Sequence, residues 1–484
     1  MDVLKARFTE KDFFVDKFGA DVYAVGGYVR DLILGRTGDN IDLVDLLICH
    51  HPVEDIIKAL EPDGRVNQVG KSFGVIKFKI HERTYDIALP RKDRPAESGI
   101  RGHKDFIIDA NPDLPIEEDL SRRDFRCNSI ALRLVNGQVI DPKEGLTDIR
   151  NKIIRLTNPE AFPDDPLRVL RAARFASVLG FEIDKEVYQA SKNINLSGLS
   201  LERVTEETFR ILLESSQPSF GLEELFKLDA LRQLFPELYP LSLCIQDSVF
   251  HPERDSFGHH TVWQHSKITV DQAKRLAEKF NLNREEELAL LLAALYHDVG
   301  KSRTTAWEFK KGRMVITSKG HDVASAEITH SAFERMKIFS WNGYDLRKTV
   351  PSLIRCHHRA SELWANRNKV TKKAFNRLAA DIDGNIELLV LLDAADRAGR
   401  SDKPVEDLDE QSLWLLDKFK ELNVSKETIQ PLILGRDLIG LGVEPGRNMG
   451  KILKKLYELQ MDNEFDTKED GLRIAGQFIG KDNT

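Results

Sequence analysis

The sequence predicts a mixed α/β head followed by segments that are all α-helical, on three observations. Strand-length apolar stretches bounded by polar turns recur over residues 1–155, among them Tyr23-Ala24-Val25, Val75 to Ile80 and Thr84 to Leu89. From about residue 157 onward the strand signals fade and helical periodicity takes over. The third is a glycine-punctuated strand–turn–helix from Tyr23 to Asp42, around which the head is organised.

Composition bounds the rest. A chain of 484 residues is long enough for two to four domains, and 41% hydrophobic with 31% charged residues describes a soluble globular protein. Cys49, Cys127, Cys244 and Cys356 lie far apart and form no Cys-x-x-Cys pair, which points to a reducing, cytoplasmic setting and excludes a disulfide framework or zinc ribbon. The first ten residues lack the apolar core of a signal peptide. The longest apolar run, Leu288 to Tyr296, is too short to span a bilayer, so no membrane partner is expected. A net charge of −7 does not advertise nucleic-acid binding, although a local basic face is compatible with it. Nothing in the pattern fixes an oligomeric state.

In the opening stretch, Tyr23, Ala24 and Val25 run into Gly26-Gly27, and a short helix places Val29, Leu32 and Ile33 on its apolar side. Asn40-Ile41-Asp42-Leu43 reads as a second strand on which Asn40 and Asp42, two apart, share a face. The glycine pair lets backbone N–H groups approach a phosphate, and the helix N-terminus adds a favourable dipole. Beside an acidic strand, that cradle suggests Mg²⁺ and nucleotidyl transfer. Val75 to Ile80 and Thr84 to Leu89 read as a hairpin around His81-Glu82-Arg83. Tyr85, Ile87 and Leu89 take one face of its second strand, leaving Asp86 on the other as the candidate third carboxylate. Residues 92–118, rich in Pro, Gly and polar side chains, read as a mobile loop.

Arg122-Arg123-Asp124 offers a guanidinium fork for phosphate oxygens and a carboxylate for a ribose hydroxyl. Phe162 to Phe175 reads as a helix with proline in its first turn, on which Asp165 and Arg168 share a face that Arg171 and Arg174 continue. A carboxylate accepts from the exocyclic amine of cytosine or adenine, and a guanidinium donates to the ring acceptors of the same edge. Guanine and uracil put a carbonyl where the amine should be, so one Asp–Arg pair accepts C and A and rejects G and U. An ordinary intrahelical ion pair explains the same two residues when they are taken alone.

In the C-terminal half, His265, the adjacent His297 and Asp298, His321, His357 and Asp396 form an ordered set on a helical background. Neutral imidazoles and carboxylates bind divalent metals that activate water. His259 and His260 compete for the first position, and capping roles compete for His321. Arg447, Lys451, Lys454 and Lys455 suit an RNA backbone or a solvated face equally.

Gly26-Gly27-x-Val29-Arg30-Asp31, Arg122-Arg123-Asp124-Phe125-x-x-Asn128-Ser129, Asp141-Pro142-x-x-Gly145-x-x-Asp148 and Asp164-Asp165-x-x-Arg168 together resemble the class II tRNA nucleotidyltransferase and bacterial poly(A) polymerase family. The C-terminal set resembles the HD phosphohydrolase domain fused to some of its members. The resemblance runs from Val25 to about Ala475 and departs at Asn40, which falls where the family carries the first aspartate of Asp-x-Asp. It implies a nucleotidyltransferase head over 1–155, a helical neck with a base-reading helix over 156–240, an HD body over 241–400 and an RNA-contacting tail over 401–484. It implies CTP and ATP as substrates and the tRNA 3′ end as acceptor. It further implies Mg²⁺ on Asp42, Asp86 and the Asn40 position, and Mn²⁺, Ni²⁺ or Fe²⁺ in the HD body. Gly26, Gly27, Arg30, Arg122, Arg123, Asp124, Asp165, Arg168, Arg171 and Arg174 become the nucleotide contacts. Two alternatives stay open: addition of A alone, and an HD metallophosphohydrolase whose head is impaired at Asn40.

Overall fold

The computed structural model describes residues 8–36, 43–69, 75–95, 106–310, 312–401, 403–422, 431–461 and 464–479. The chain forms two compact units, Met1–Pro236 and Glu237–Thr484.

The first unit is built on β1 (Val22–Val25), β2 (Leu43–Ile48), β3 (Arg65–Val69), β4 (Val75–Ile80), β5 (Arg83–Ala88), β6 (Arg91–Pro95), β7 (Phe106–Ala110), β8 (Ala131–Arg133) and β9 (Val139–Ile140). Seven of them form one sheet in the order β3-β4-β5-β2-β1-β8-β9, and β6 and β7 pair separately. β4 and β5 form the expected hairpin, turning at His81 with a left-handed φ of 52°. Its alternation holds: Tyr85 and Ile87 are buried and Asp86 faces the other way. β2 joins β5 in parallel with Asp45 opposite Asp86. Val44 and Leu46, on the other face of β2, are buried. Asn40 and Asp42 lie outside the described residues. The reading of 92–118 as a loop is corrected: β6 and β7 form a hairpin and Ile116–Ser121 is a helix. The apolar run Phe106-Ile107-Ile108 supplies strand propensity that the polar flanks mask.

Helices Arg168–Leu179, Leu201–Glu214 and Pro218–Lys227 complete this unit. The expected helix from Phe162 is broken: a 3-10 turn spans Phe162–Asp164, Asp165 is extended (φ −116°, ψ 97°), and the α-helix starts at Arg168. The cause is local, since Pro166 disfavours helical backbone at the residue before it. Asp165 therefore stands at the mouth of the helix rather than within it.

The second unit centres on helix Arg284–Tyr296, whose residues Glu287 to Tyr296 are all buried. Asn283 caps it by accepting from the Glu286 amide at 2.8 Å, and three glutamates fill its first turn. Helices Val262–Lys279, His321–Met336, Leu346–Cys356 and Ile386–Ala398 surround it. A hairpin of Ala306–Lys310 with Arg313–Thr317 is the main strand structure among the described residues of this unit. Helices Glu410–Glu421, Gly435–Gly440, Arg447–Met461 and Lys468–Ile479 form the tail, with Leu438, Leu456, Phe465 and Ala475 in its core. Arg447, Lys451, Lys454 and Lys455 are exposed on one of these helices.

Candidate functional site

Two sites stand out, one in each unit. In the first, β1 ends at Gly26, where a φ of 67° and the closeness of Arg123 both demand glycine: a Cβ there would lie 3.0 Å from Arg123 Nη1. The turn opens into a cavity of about 830 Å³ whose described lining holds Gly26, Gly27, Asp45, Asp86, Asp124, Asp165 and nine arginines, among them Arg30, Arg122, Arg123, Arg168, Arg171 and Arg174. A concave surface this rich in guanidinium suits a polyphosphate.

Arg30, Arg122, Arg123, Arg168, Arg171 and Arg174 are each aimed by a partner. Asp119, fully buried, holds Arg122 through Oδ1 at 2.7 Å and Arg123 through Oδ2 at 3.1 Å. Burial alone would raise its pKa, but the two guanidiniums hold the carboxyl below its ordinary value. Arg30 donates to both oxygens of Asp31 and to Asn128 Oδ1 at 2.7 Å. Asp124 accepts from the Phe125 amide, Asn128 Nδ2 and Arg171 Nε; burial works against ionisation, yet Arg171 and these bonds draw its pKa to about 2. Arg171 thus ties the Arg-Arg-Asp segment to helix Arg168–Leu179. Arg174 donates to Glu207 at 2.5 Å and is only 3% exposed, which makes it chiefly a packing residue of the neck.

The Asp165–Arg168 pair does not close on itself. Arg168 donates to the carbonyl oxygens of Ala161 and Arg122, at 2.6 and 2.9 Å. Asp165 is held by Arg203 from a neighbouring helix, at 3.1 Å. Each group is fixed separately, so both remain turned to the cavity they line.

At the acidic wall, Asp45 and Asp86 are direct partners across parallel strands. Burial raises the pKa of Asp45, Arg123 lowers it and Asp86 raises it. Asp86 Oδ1 is buried without a hydrogen bond, although Lys77 Nζ approaches to 3.4 Å. Two carboxylates side by side on one face of the sheet, the second also ion-paired with Lys77, fit a hard divalent cation.

In the second unit, His297, His321 and His357 each place Nδ1 on the backbone carbonyl three residues before, at 2.8, 2.6 and 2.6 Å. That bond puts the proton on Nδ1 and leaves Nε2 with its lone pair. The Nε2 atoms of His297 and His357 are buried without a hydrogen bond. His297 Nε2 lies 3.3 Å from Asp298 Oδ2 and 3.7 Å from Asp396 Oδ1; His265 Nε2 lies 2.9 Å from Asp396 Oδ1; His321 Nε2 lies 3.2 Å from Asp298 Oδ1. Burial opposes ionisation of Asp298, but the Lys301 ammonium, 2.6 Å from Oδ2, helps to hold its carboxyl well below the ordinary range. Gly300 makes the convergence possible, because a Cβ there would lie 2.5 Å from the His321 carbonyl. These orphaned imidazoles and converging carboxylates fit divalent transition metals.

All six residues expected in this set are thus brought together. His358, adjacent to His357, joins them with Nε2 at 3.0 Å from His321 Nε2, completing a second group of three ring nitrogens. A cavity of about 250 Å³ opens beside them, lined by Lys301, Arg400, His251 and Phe250 among others. Asp45, Asp119, Arg203, His251, Glu253 and His358 were not selected as site residues from the sequence. Only Asp119 carried a local signal, the i, i+3 and i, i+4 spacing to Arg122 and Arg123 on a helix end.

Residues 22–155 match the family model described as the Poly A polymerase head domain, 180–241 that of the Probable RNA and SrmB-binding site of polymerase A, and 262–398 the HD domain. The Multifunctional CCA protein of Pasteurella multocida (strain Pm70) is 32% identical over 411 residues, 82% of this chain and 88% of that protein. That of Xanthomonas campestris pv. campestris (strain B100) is 34% identical over 395 residues, 78% of this chain and 85% of that protein. Among solved structures, the Bacillus stearothermophilus CCA-adding enzyme in complex with CTP is similar with a TM-score of 0.58 at 20% identity, covering 98% of this chain and 97% of that one. The Thermotoga maritima CCA-adding enzyme complexed with tRNA gives 0.53 at 20% identity, covering 99% and 98%. Identities this low speak for the fold.

Proposed function

This chain belongs to the multifunctional CCA protein family, and we propose from that premise that it adds C and A to the tRNA 3′ end from CTP and ATP. We assign its second unit a metal-dependent phosphohydrolase centre. The carrying observation for the first activity is the cavity in which Asp165 and Arg168 are fixed by separate partners, while arginines and two paired carboxylates occupy its remaining walls.

In this reading the Arg122–Arg123 fork and Arg30 receive the triphosphate. Gly26 keeps the backbone open to it, and Asp165 and Arg168 read the base edge. The 3′-hydroxyl of the acceptor attacks the α-phosphate and pyrophosphate leaves. Asp45 and Asp86 would hold Mg²⁺, which when bound neutralises charge on the phosphate oxygens. Asp42 and the Asn40 position, which the family resemblance implies for the same ion, lie outside the described residues just before the strand that carries Asp45. In the second unit, His265, His297, Asp298 and Asp396 would hold a metal such as Mn²⁺, Ni²⁺ or Fe²⁺, and His321, His357 and His358 a neighbouring one. Lys301 and Arg400 line the adjoining cavity, where they suit a phosphate ester.

The test is extension of a tRNA that lacks its terminal CCA. The chain extends it with CTP and ATP, and Asp86→Ala does not. Failure of the unaltered chain to extend that acceptor at any Mg²⁺ concentration overturns the proposal.

A further inference from the structure

The segment between residues 243 and 261 folds back over the first histidine of the metal set. Val262 N donates to the Cys244 carbonyl at 2.9 Å, Gln246 N to the His260 carbonyl at 2.8 Å, and His260 Nδ1 lies 2.9 Å from the Glu253 carbonyl. This packing carries the Glu253 side chain inside the unit, where it is wholly shielded from solvent. A buried carboxylate is costly unless it is paired. Here Oε1 lies 3.1 Å from His265 Nδ1 and 3.0 Å from His251 Nδ1, and Oε2 has no hydrogen-bond partner.

His265 differs in this respect from the other ligating imidazoles. His297, His321 and His357 each give Nδ1 to a neutral backbone carbonyl, whereas His265 faces a carboxylate. Gly399 O is a second, longer contact at 3.3 Å. A carboxylate on Nδ1 fixes the tautomer and ring orientation and makes the opposite nitrogen a better ligand. With the proton on Nδ1, His265 Nε2 presents its lone pair beside Asp396 Oδ1, 2.9 Å away, and the two atoms can serve one cation. The same Glu253 oxygen orients His251, whose ring lies 4.7 Å from that of His265 and lines the 250 Å³ cavity.

We propose that Glu253 is a positioning residue of the metal centre, holding His265 and His251 as Nδ1-protonated imidazoles so that His265 Nε2 is available to the metal. The inference rests on the metal-centre reading above and adds to it a carboxylate outside the histidine–aspartate set.

Calorimetric titration of the chelator-stripped, full-length protein with Ni²⁺ tests it, with Asp298→Ala marking the heat that belongs to this centre. Glu253→Gln keeps an acceptor but loses the charge, and weakens that binding about 10-fold; Glu253→Ala weakens it further, toward about 100-fold, the range of such outer-sphere losses. Nucleotide addition by the first unit stays at the unaltered level in both variants, and the helical circular-dichroism signal with its thermal transition reports whether the second unit has folded. If Glu253→Ala unfolds the second unit, Glu253→Gln alone decides. Unchanged Ni²⁺ affinity in Glu253→Gln and in any folded Glu253→Ala overturns the inference. An unaltered chain that binds no Ni²⁺ at this centre overturns the metal-centre reading itself, and the inference with it.

Discussion

Replacing Asp45 by Asn tests the acidic wall of the first cavity most sharply. Asp45 stands directly opposite Asp86 on neighbouring parallel strands. Neighbouring strands lie about 4.8 Å apart. At that separation the two carboxylates repel one another, which a cation between them relieves. A charge-assisted contact is worth about 1.5–3 kcal/mol, so losing one carboxylate lowers Mg²⁺-dependent turnover by about one to two decades. Asn preserves size and one acceptor oxygen, so the change reads charge rather than packing. The assay is single-turnover addition of one nucleotide across a Mg²⁺ series, with Mn²⁺ binding followed by electron paramagnetic resonance as the readout independent of turnover. The expected result is a raised Mg²⁺ half-saturation and weaker Mn²⁺ binding, with nucleotide affinity at Arg122 and Arg123 retained. Unchanged Mg²⁺ dependence and Mn²⁺ binding in Asp45→Asn would refute the assignment of Asp45 to the cation.

Asn40→Asp, prompted by the sequence pattern alone, should raise single-turnover addition by the unaltered chain and restore part of the rate in Asp45→Asn; equal rates with and without it mean position 40 has no metal role. Arg168→Ala removes a guanidinium held by two carbonyls. The loss of charge-assisted bonds, about 1.5–3 kcal/mol, should lower CTP and ATP incorporation by 10- to 100-fold and weaken discrimination against GTP and UTP, as measured by competition among labelled nucleotides. Arg171→Ala leaves Asp124 buried without its guanidinium and should cost about 3–5 kcal/mol of first-unit stability by urea unfolding. In the unaltered chain the Asp124 pKa is depressed to about 2, so its stabilising contribution is complete above the ordinary carboxylate range and is lost as pH falls from about 4 through 2. That acid limb should be absent in Arg171→Ala. Asp298→Ala should abolish phosphate release by the second unit and leave nucleotide addition intact, with metal content measured alongside.

The sequence made the local features legible and left the non-local ones hidden. Strand period alone placed Asp86 on the face opposite Tyr85 and Ile87, and the glycine turn at Gly26 follows from chain geometry. The histidine–aspartate set was legible as an ordered series through its resemblance to the HD domain; apolar helices lead into His297–Asp298 and carry Asp396, whereas His265, His321 and His357 sit in more polar stretches of sequence. Asp45 falls outside the two-apart pair Asn40 and Asp42, and the sequence offered it only as a substitute for Asn40. The register of β2 against β5 is a tertiary property, and it is the register that brings Asp45 to Asp86. Arg203 reaches Asp165 from another helix, and Glu253 reaches His265 from a segment without regular structure. Nothing in the spacing of either pair announces the contact. The break at Asp165 was readable, since Pro166 follows it, but helical periodicity over the whole stretch outweighed that signal.

One arginine-lined cavity, with Asp165 and Arg168 held apart by their own partners, is the feature we propose selects C and A for addition to a tRNA 3′ end. The direct measurement offers a tRNA lacking its terminal CCA each of CTP, ATP, GTP and UTP separately and then all together, with products resolved at single-nucleotide length. The expected products are C incorporation from CTP, completion only when ATP is also present, and nothing from GTP or UTP. Runs of A without any use of CTP, or incorporation of G or U at rates comparable to C and A, would contradict the proposal.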